Sequence, residues 1–255
     1  MRPSDREAGS RMDRRGRSAY AAELIGTFFL VLFIALAVTV NSEGGLGYTD
    51  VAVVGLVHAF ALMMIIATIG GASGAHVNPA VTIALAALRK IGPIDAAIYV
   101  LVQIAGAVLA VLVVKLMIQD GSADAANFGA PAVSENFLEG AATAGFLGEA
   151  LGTFALMWAV MGVAVNPTAA KDWAPLVIGA TLGLAVFALG PMTGGSFNPA
   201  RAFGPSLISG ELSDGGTFLL VYVVGPITGA LAAALAYQEI ILRDRPSERP
   251  IDKLG

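Results

Sequence analysis

The chain has 255 residues, 56% of them apolar and only 13% charged, and 15 Lys and Arg against 19 Asp and Glu leave a formal charge of −4. That charged fraction is about half the ~25% usual in soluble domains, while the apolar content excludes disorder and 31 glycines without a period exclude collagen. No cysteine is present, which removes disulfide frameworks, thiolate metal sites and cysteine nucleophiles, and the composition reads as an integral membrane protein.

In chain order, residues 1–18 form a basic tail that either touches anionic lipid or stays solvated. The first apolar stretch, Ala19–Val40, is too long for a signal-peptide core, and no small-residue cleavage pattern follows it. With Val51–Gly70, Ala96–Ile118, Ala141–Val165, Ala174–Gly190 and Thr217–Leu242 it meets or approaches the ~20 residues needed to cross a bilayer core of about 30 Å. Two apolar stretches, Asn78–Leu88 and Asn198–Ser209, are short enough to cover only roughly half the membrane. Asp120–Gly140 is a polar, acidic connection with no recognisable motif, and 243–255 is a second charged tail.

Lys and Arg set the orientation. With the N-terminus cytoplasmic, the inside carries Arg2, Arg6, Arg11, Arg14, Arg15, Arg17, Arg89, Lys90, Lys171, Arg243, Arg245, Arg249 and Lys253, against Lys115 and Arg201 outside. Both termini are therefore expected in the cytoplasm, and the membrane is expected to be the plasma (inner) membrane.

Three segments recur in one order at an offset of roughly 120 residues, the mark of a duplication. Glu23-Leu-Ile-Gly26-Thr27-Phe28 returns as Glu149-Ala-Leu-Gly152-Thr153-Phe154, and Asn78-Pro79-Ala80 returns as Asn198-Pro199-Ala200. Tyr99-x-x-x-Gln103-Ile104-Ala105-Gly106-Ala107 returns as Tyr222-x-x-x-Pro226-Ile227-Thr228-Gly229-Ala230. Repeat one covers about 19–118 and repeat two about 141–242, within one membrane domain over 19–242. Each repeat holds an odd number of full crossings, so the second inserts upside down. The fold expected is all-α: six transmembrane helices and two re-entrant half-helices in an inverted repeat, with the functional site where the broken helices meet. Asn suits the helix N-cap and Pro the first helical turn, and each Asn-Pro-Ala follows a Gly-rich loop.

On these residues the chain resembles the aquaporins, the major intrinsic protein family, from about Tyr20 to Tyr237, with both Asn-Pro-Ala motifs intact and Arg201 directly after the second. The resemblance implies a homotetramer with one pore per subunit, which no spacing here shows. Water and small neutral solutes, with the lipid bilayer around them, are the partners implied. No cofactor, metal, nucleic acid or enzymatic activity is expected.

Pore chemistry assigns the roles. Two half-helix N-termini, each worth about +0.5 of an elementary charge, face each other as a barrier to cations and protons. Asn78 and Asn198 donate amide hydrogens to a passing oxygen, and carbonyls of the irregular loops accept along the file. Arg201 is the sharpest residue, since a charge at this depth belongs in a wet cavity; the alternative is an Arg snorkelling from a helix end. By alignment to the family the outer constriction is His58, Val186, Gly195 and Arg201, most similar to tonoplast intrinsic proteins and lacking both the aromatic–His pair of strict water channels and the Trp–Phe pair of glycerol facilitators. Two small members imply a wide, polar ring that passes water and also admits hydrogen peroxide, ammonia and, at the limit, urea.

Alternatives stand beside these assignments. A lone membrane His such as His58 is also explained as a packing residue bonded to a backbone carbonyl, and His76 is assigned to the cytoplasmic pore mouth. Glu23 and Glu149 suggest a proton relay, but the preferred reading makes them acceptors for unpaired N–H groups of the re-entrant loops. Gly26, Gly106, Gly152 and Gly229 read as close helix contacts. A secondary carrier would need further coupling acids, and an intramembrane enzyme a catalytic set that this inventory does not supply.

Overall fold

The computed structural model describes residues 15–42 and 48–243. The tail readings for residues before 15 and after 243 lie outside the described residues. Six long helices are α1 (Arg17–Ser42), α2 (Tyr48–Ser73), α4 (Pro93–Met117), α5 (Ala142–Val165), α6 (Ala174–Thr193) and α8 (Gly215–Leu242). Two of about half that length are α3 (Pro79–Ala87) and α7 (Pro199–Ser209), single helical turns stand at Ser122–Ala125 and Glu135–Leu138, and no strand occurs among the described residues. The expected spans and half-spans are all present, several lengthened by a turn. Leu56, Leu101 and Leu184 are 55%, 67% and 68% exposed on the outside of the bundle, a surface that suits lipid and would be costly in water. The chain is an integral, multi-pass membrane protein.

The duplication governs the packing. In repeat one α1 lies against α4, in repeat two α5 lies against α8, and α2 and α6 join the repeats. Glycine permits each approach. A Cβ on Gly106 would collide with the Leu24 carbonyl of α1, and one on Gly229 would collide with the Ala150 carbonyl of α5. Between α2 and α6, a Cβ on Gly179 would stand 2.5 Å from the Ala59 carbonyl and one on Gly183 2.7 Å from the Gly55 carbonyl. Without a hydrophobic force between helices in lipid, such close backbone contact supplies the dispersion that holds the bundle.

Local sequence explains the breaks. Pro226 lacks an N–H and crowds the carbonyl four residues back, and α8 widens to π-helical turns over Leu219–Val224 just before Gly225-Pro226. α5 likewise ends in a π turn, Met161–Val165, with Asn166 N–H donating to the Met161 carbonyl at 2.9 Å ahead of Pro167. Both half-helices start as their motifs dictate. Asn78 accepts from Ala80 N–H at 2.9 Å, and Asn198 accepts from Ala200 and Arg201 N–H at 3.0 and 3.3 Å, with Pro in each first turn. α3 packs on α8 and α4, α7 on α4, and the two helices begin beside each other at the centre.

Candidate functional site

The loops feeding α3 and α7 have backbone that ordinary residues avoid. Val77 has φ +41° and Phe197 φ +51°, the left-handed region where a β-branched or bulky residue costs roughly 1–3 kcal/mol. Each is held at both of its polar groups. Glu23 Oε2 accepts from Val77 N–H at 2.7 Å and from Gln103 Nε2 at 2.8 Å, while its Oε1 accepts from the Ser73 hydroxyl at 2.7 Å and His76 N–H at 2.9 Å. In the other repeat Glu149 Oε2 accepts from Phe197 N–H at 2.6 Å, and its Oε1 from the Thr193 hydroxyl at 2.7 Å and Ser196 N–H at 2.9 Å. Tyr99 and Tyr222 repeat the pattern, donating to the Ser73 and Thr193 carbonyls at 2.8 and 2.9 Å.

The carbonyls of the strained residues carry the contact between repeats. Asn78 Nδ2 donates to the Phe197 carbonyl and Asn198 Nδ2 donates to the Val77 carbonyl, both at 2.8 Å. Each asparagine thus caps its own half-helix with oxygen and clasps the opposite loop with nitrogen. An amide nitrogen has two hydrogens, so one remains on each Asn, and both residues line a cavity of about 330 Å³.

That cavity runs from Arg15 and Lys90 past Asn78 and Asn198 to His58, Ser196 and Arg201. Leu30, Ile34, Leu62, Leu156 and Leu182 form apolar wall. Gly74, Ala75 and His76 line it as well, and their carbonyls have no protein partner among the described residues. At the far end Arg201 is 2% exposed and donates through one terminal nitrogen to the Gly129 carbonyl at 2.7 Å, while its Nε has no partner. His58 Nδ1 lies 2.8 Å from the Val54 carbonyl. A carbonyl only accepts, so Nδ1 holds a proton, while Nε2 is buried and has no partner among the described residues. The packing bond and the cavity-facing position therefore coexist in one residue.

Val186 and Gly195 do not line this cavity. They lie against each other, with Val186 Cγ2 3.5 Å from where a Gly195 Cβ would stand. His76 is 8% exposed, packs edge-on to Tyr99 with centroids 5.1 Å apart, and has Nδ1 3.1 Å from the Thr82 hydroxyl. It sits in the re-entrant loop two residues before Asn78 and lines the cavity together with Arg15 and Lys90.

Several groups escaped the sequence reading. Gly129 lies in the connection that showed no motif, at φ +75°, next to Phe128, which is buried at 1% exposure. The apolar run Phe128-Gly129-Ala130-Pro131 in an acidic loop was the available signal. Asp95, 3% exposed, accepts from the Tyr20 hydroxyl at 2.5 Å and Arg15 N–H at 3.2 Å. Among the described residues no group of three His, Cys, Asp or Glu could hold a metal ion.

Comparison with known proteins agrees with this architecture. The major intrinsic protein family model matches residues 13–237. Aquaporin AqpM of Methanothermobacter thermautotrophicus is 36% identical over 237 residues, covering 85% of this chain and 94% of the relative. Aquaporin NIP1-1 of Zea mays is 38% identical over 231 residues, covering 88% and 75%. The aquaglyceroporin structure from Plasmodium falciparum superimposes with a TM-score of 0.74 at 22% identity, over 88% of this chain and 96% of that one. These relatives lend no support to the tonoplast-type constriction expected above. The chain belongs to the major intrinsic protein family, the aquaporins, whose members are passive channels and not enzymes.

Proposed function

We propose that the cavity is a passive pore for water and other small neutral solutes, including hydrogen peroxide, ammonia and, near its size limit, urea, and that it refuses protons and ions. The observation that carries this reading is the Asn78–Asn198 clasp, which sets two half-helix N-termini against each other in the middle of one continuous cavity. A solute oxygen there receives the spare Asn hydrogens and meets about half a positive charge from each helix, so a central water donates outward and a proton wire is interrupted. His58 and Arg201 form the outer ring, both lining the cavity and each keeping one buried nitrogen without a protein partner. Val186 and Gly195 act one layer behind them, keeping the ring wide by being small. His76 lines the inner half. Glu23 and Glu149 hold the re-entrant loops, their oxygens being committed to four and three hydrogen bonds, which argues against coupling-ion ligands of a carrier.

The Lys and Arg distribution supports cytoplasmic termini and a plasma (inner) membrane location for one channel domain over 19–242, and family likeness supports a homotetramer. Liposomes carrying the protein test the function by light scattering after a sucrose jump, alongside peroxide entry. Fast shrinkage of low temperature dependence together with peroxide entry is the expected result. Fast water flux with peroxide excluded overturns the wide ring, and no flux above empty liposomes with tetramers present overturns the open channel.

A further inference from the structure

The repeat makes one asymmetry conspicuous. Arg201 follows Ala200 in the second Asn-Pro-Ala motif, and the residue in the same place after the first is Val81. Both line the cavity, so the outer end has a buried guanidinium where the inner half has an aliphatic side chain. A guanidinium nonetheless reaches the inner end from outside the repeat. Arg15, two residues before α1, lines the same cavity, and its terminal nitrogen lies 3.4 Å from the Ser73 carbonyl where α2 enters the re-entrant loop. No carboxylate pairs with this guanidinium among the described residues.

Its placement is built. The backbone N–H of Arg15 donates to Asp95 at 3.2 Å, and the Tyr20 hydroxyl donates to the same oxygen at 2.5 Å. Tyr20 packs edge-on to Tyr99 at 6.1 Å, and Tyr99 donates to the Ser73 carbonyl that faces Arg15. Asp95, 3% exposed at the start of α4, therefore holds the backbone of the arm and makes no ion pair with the Arg15 side chain, which stays over the mouth. Lys90 adds a second, exposed charge at the same end.

We propose that Arg15, latched by Asp95 and Tyr20, is a specificity-determining residue: a second cation barrier at the inner mouth, standing in for the arginine that the first repeat lacks. This assignment rests on the cavity being the pore. A cation entering from the N-terminal face meets Arg15 before it meets the helix N-termini, whereas a neutral solute passes a group that only donates hydrogen bonds.

The absence of cysteine gives a clean test. Val81→Cys places one thiol in the cavity between Arg15 and Asn78, and its modification in detergent-solubilised protein is followed by mass. The probes are neutral methyl methanethiosulfonate and its cationic aminoethyl analogue. Two unit charges roughly 6 Å apart in a wet, water-like mouth imply that Arg15→Ala raises the cationic-to-neutral rate ratio about threefold. Arg15→Lys is expected to stay within about twofold of the parent, and Tyr20→Phe, which keeps the ring and the net charge, to raise the ratio about twofold or more. Arg201 guards the outer end in every variant, so the change reports the inner mouth. An unchanged ratio in Arg15→Ala, with the neutral reagent reacting normally, overturns the barrier and leaves the pore intact. A parental ratio in Tyr20→Phe overturns the latch. Failure of the neutral reagent in all backgrounds overturns the pore reading and this assignment with it.

Discussion

Glu23 and Glu149 occupy equivalent positions, yet neutralising them is expected to cost different amounts. In Glu149→Gln the amide oxygen keeps the Thr193 hydroxyl and Ser196 N–H, and the new NH₂ group faces Phe197 N–H, donor against donor, where an oxygen accepted at 2.6 Å. The Phe197 N–H and the new amide hydrogens are then both orphaned, at about 1–3 kcal/mol for each unsatisfied buried group. Glu23→Gln orphans Val77 N–H in the same way, but Gln103 lies alongside with an Oε1 that has no partner. Turning the Gln103 amide over lets it accept from the new group at the cost of its own bond to the Thr82 hydroxyl, a partial rescue that Pro226, its counterpart in repeat two, cannot provide. Glu149→Gln should therefore be less stable than Glu23→Gln by about 1 kcal/mol, which for a chain of this size is roughly 2–4 °C in melting temperature. Fluorescence melts in detergent, read on Trp158 and Trp173, measure the difference. Adding Gln103→Ala to Glu23→Gln should bring it down to the level of Glu149→Gln. Equal melts for the two single variants, or the reverse order, refute the reasoning.

Asn198→Asp keeps the cap on Ala200 and Arg201 but loses donation to the Val77 carbonyl and sets a full negative charge between helix ends worth about +0.5 each. Proton entry into dye-loaded liposomes should rise about tenfold or more, and an unchanged leak at retained water flux counts against the central barrier. Gly229→Ala drives a Cβ into the Ala150 backbone and should prevent recovery of folded protein from detergent, whereas Gly71→Ala, with nothing within 4 Å, should melt like the parent. His58→Phe adds bulk and removes a polar ring at the Arg201 end of the cavity, so peroxide entry should fall more steeply than water flux; equal losses would remove His58 from solute discrimination.

How much of this was legible follows from what each feature depends on. The six spans and two half-spans rest on bilayer thickness and on Asn and Pro at helix starts, both local, and the described helices follow them closely. The clasp was not legible, because it joins an asparagine to a carbonyl 119 or 121 residues away and a carbonyl has no sequence identity. The Gly129 carbonyl on Arg201 was hidden for the same reason. Arg15 looked like one more arginine in a solvated tail until Asp95 and Tyr20 placed it over the cavity. Val186 and Gly195 were counted off by likeness to a family, and counting fixes a layer of the bundle without fixing which atoms reach the cavity surface.

The strain at Val77 and Phe197 gives the arrangement its physical logic. A relaxed loop would fold its carbonyls into turns or helix and offer nothing to a solute. Left-handed backbone prevents that, and buried carboxylates and asparagines hold it by taking the N–H of each strained residue on one side and its carbonyl on the other. The remaining carbonyls of Gly74, Ala75 and His76, without protein partners among the described residues, belong to a cavity lining that also includes leucine and isoleucine. A water in such a channel exchanges some of its hydrogen bonds for protein ones and finds no site with enough partners to trap it. Rapid passage requires that balance, binding strong enough to enter and weak enough to leave. A uniformly polar lining would bind the file too well, and a uniformly apolar one would dewet it.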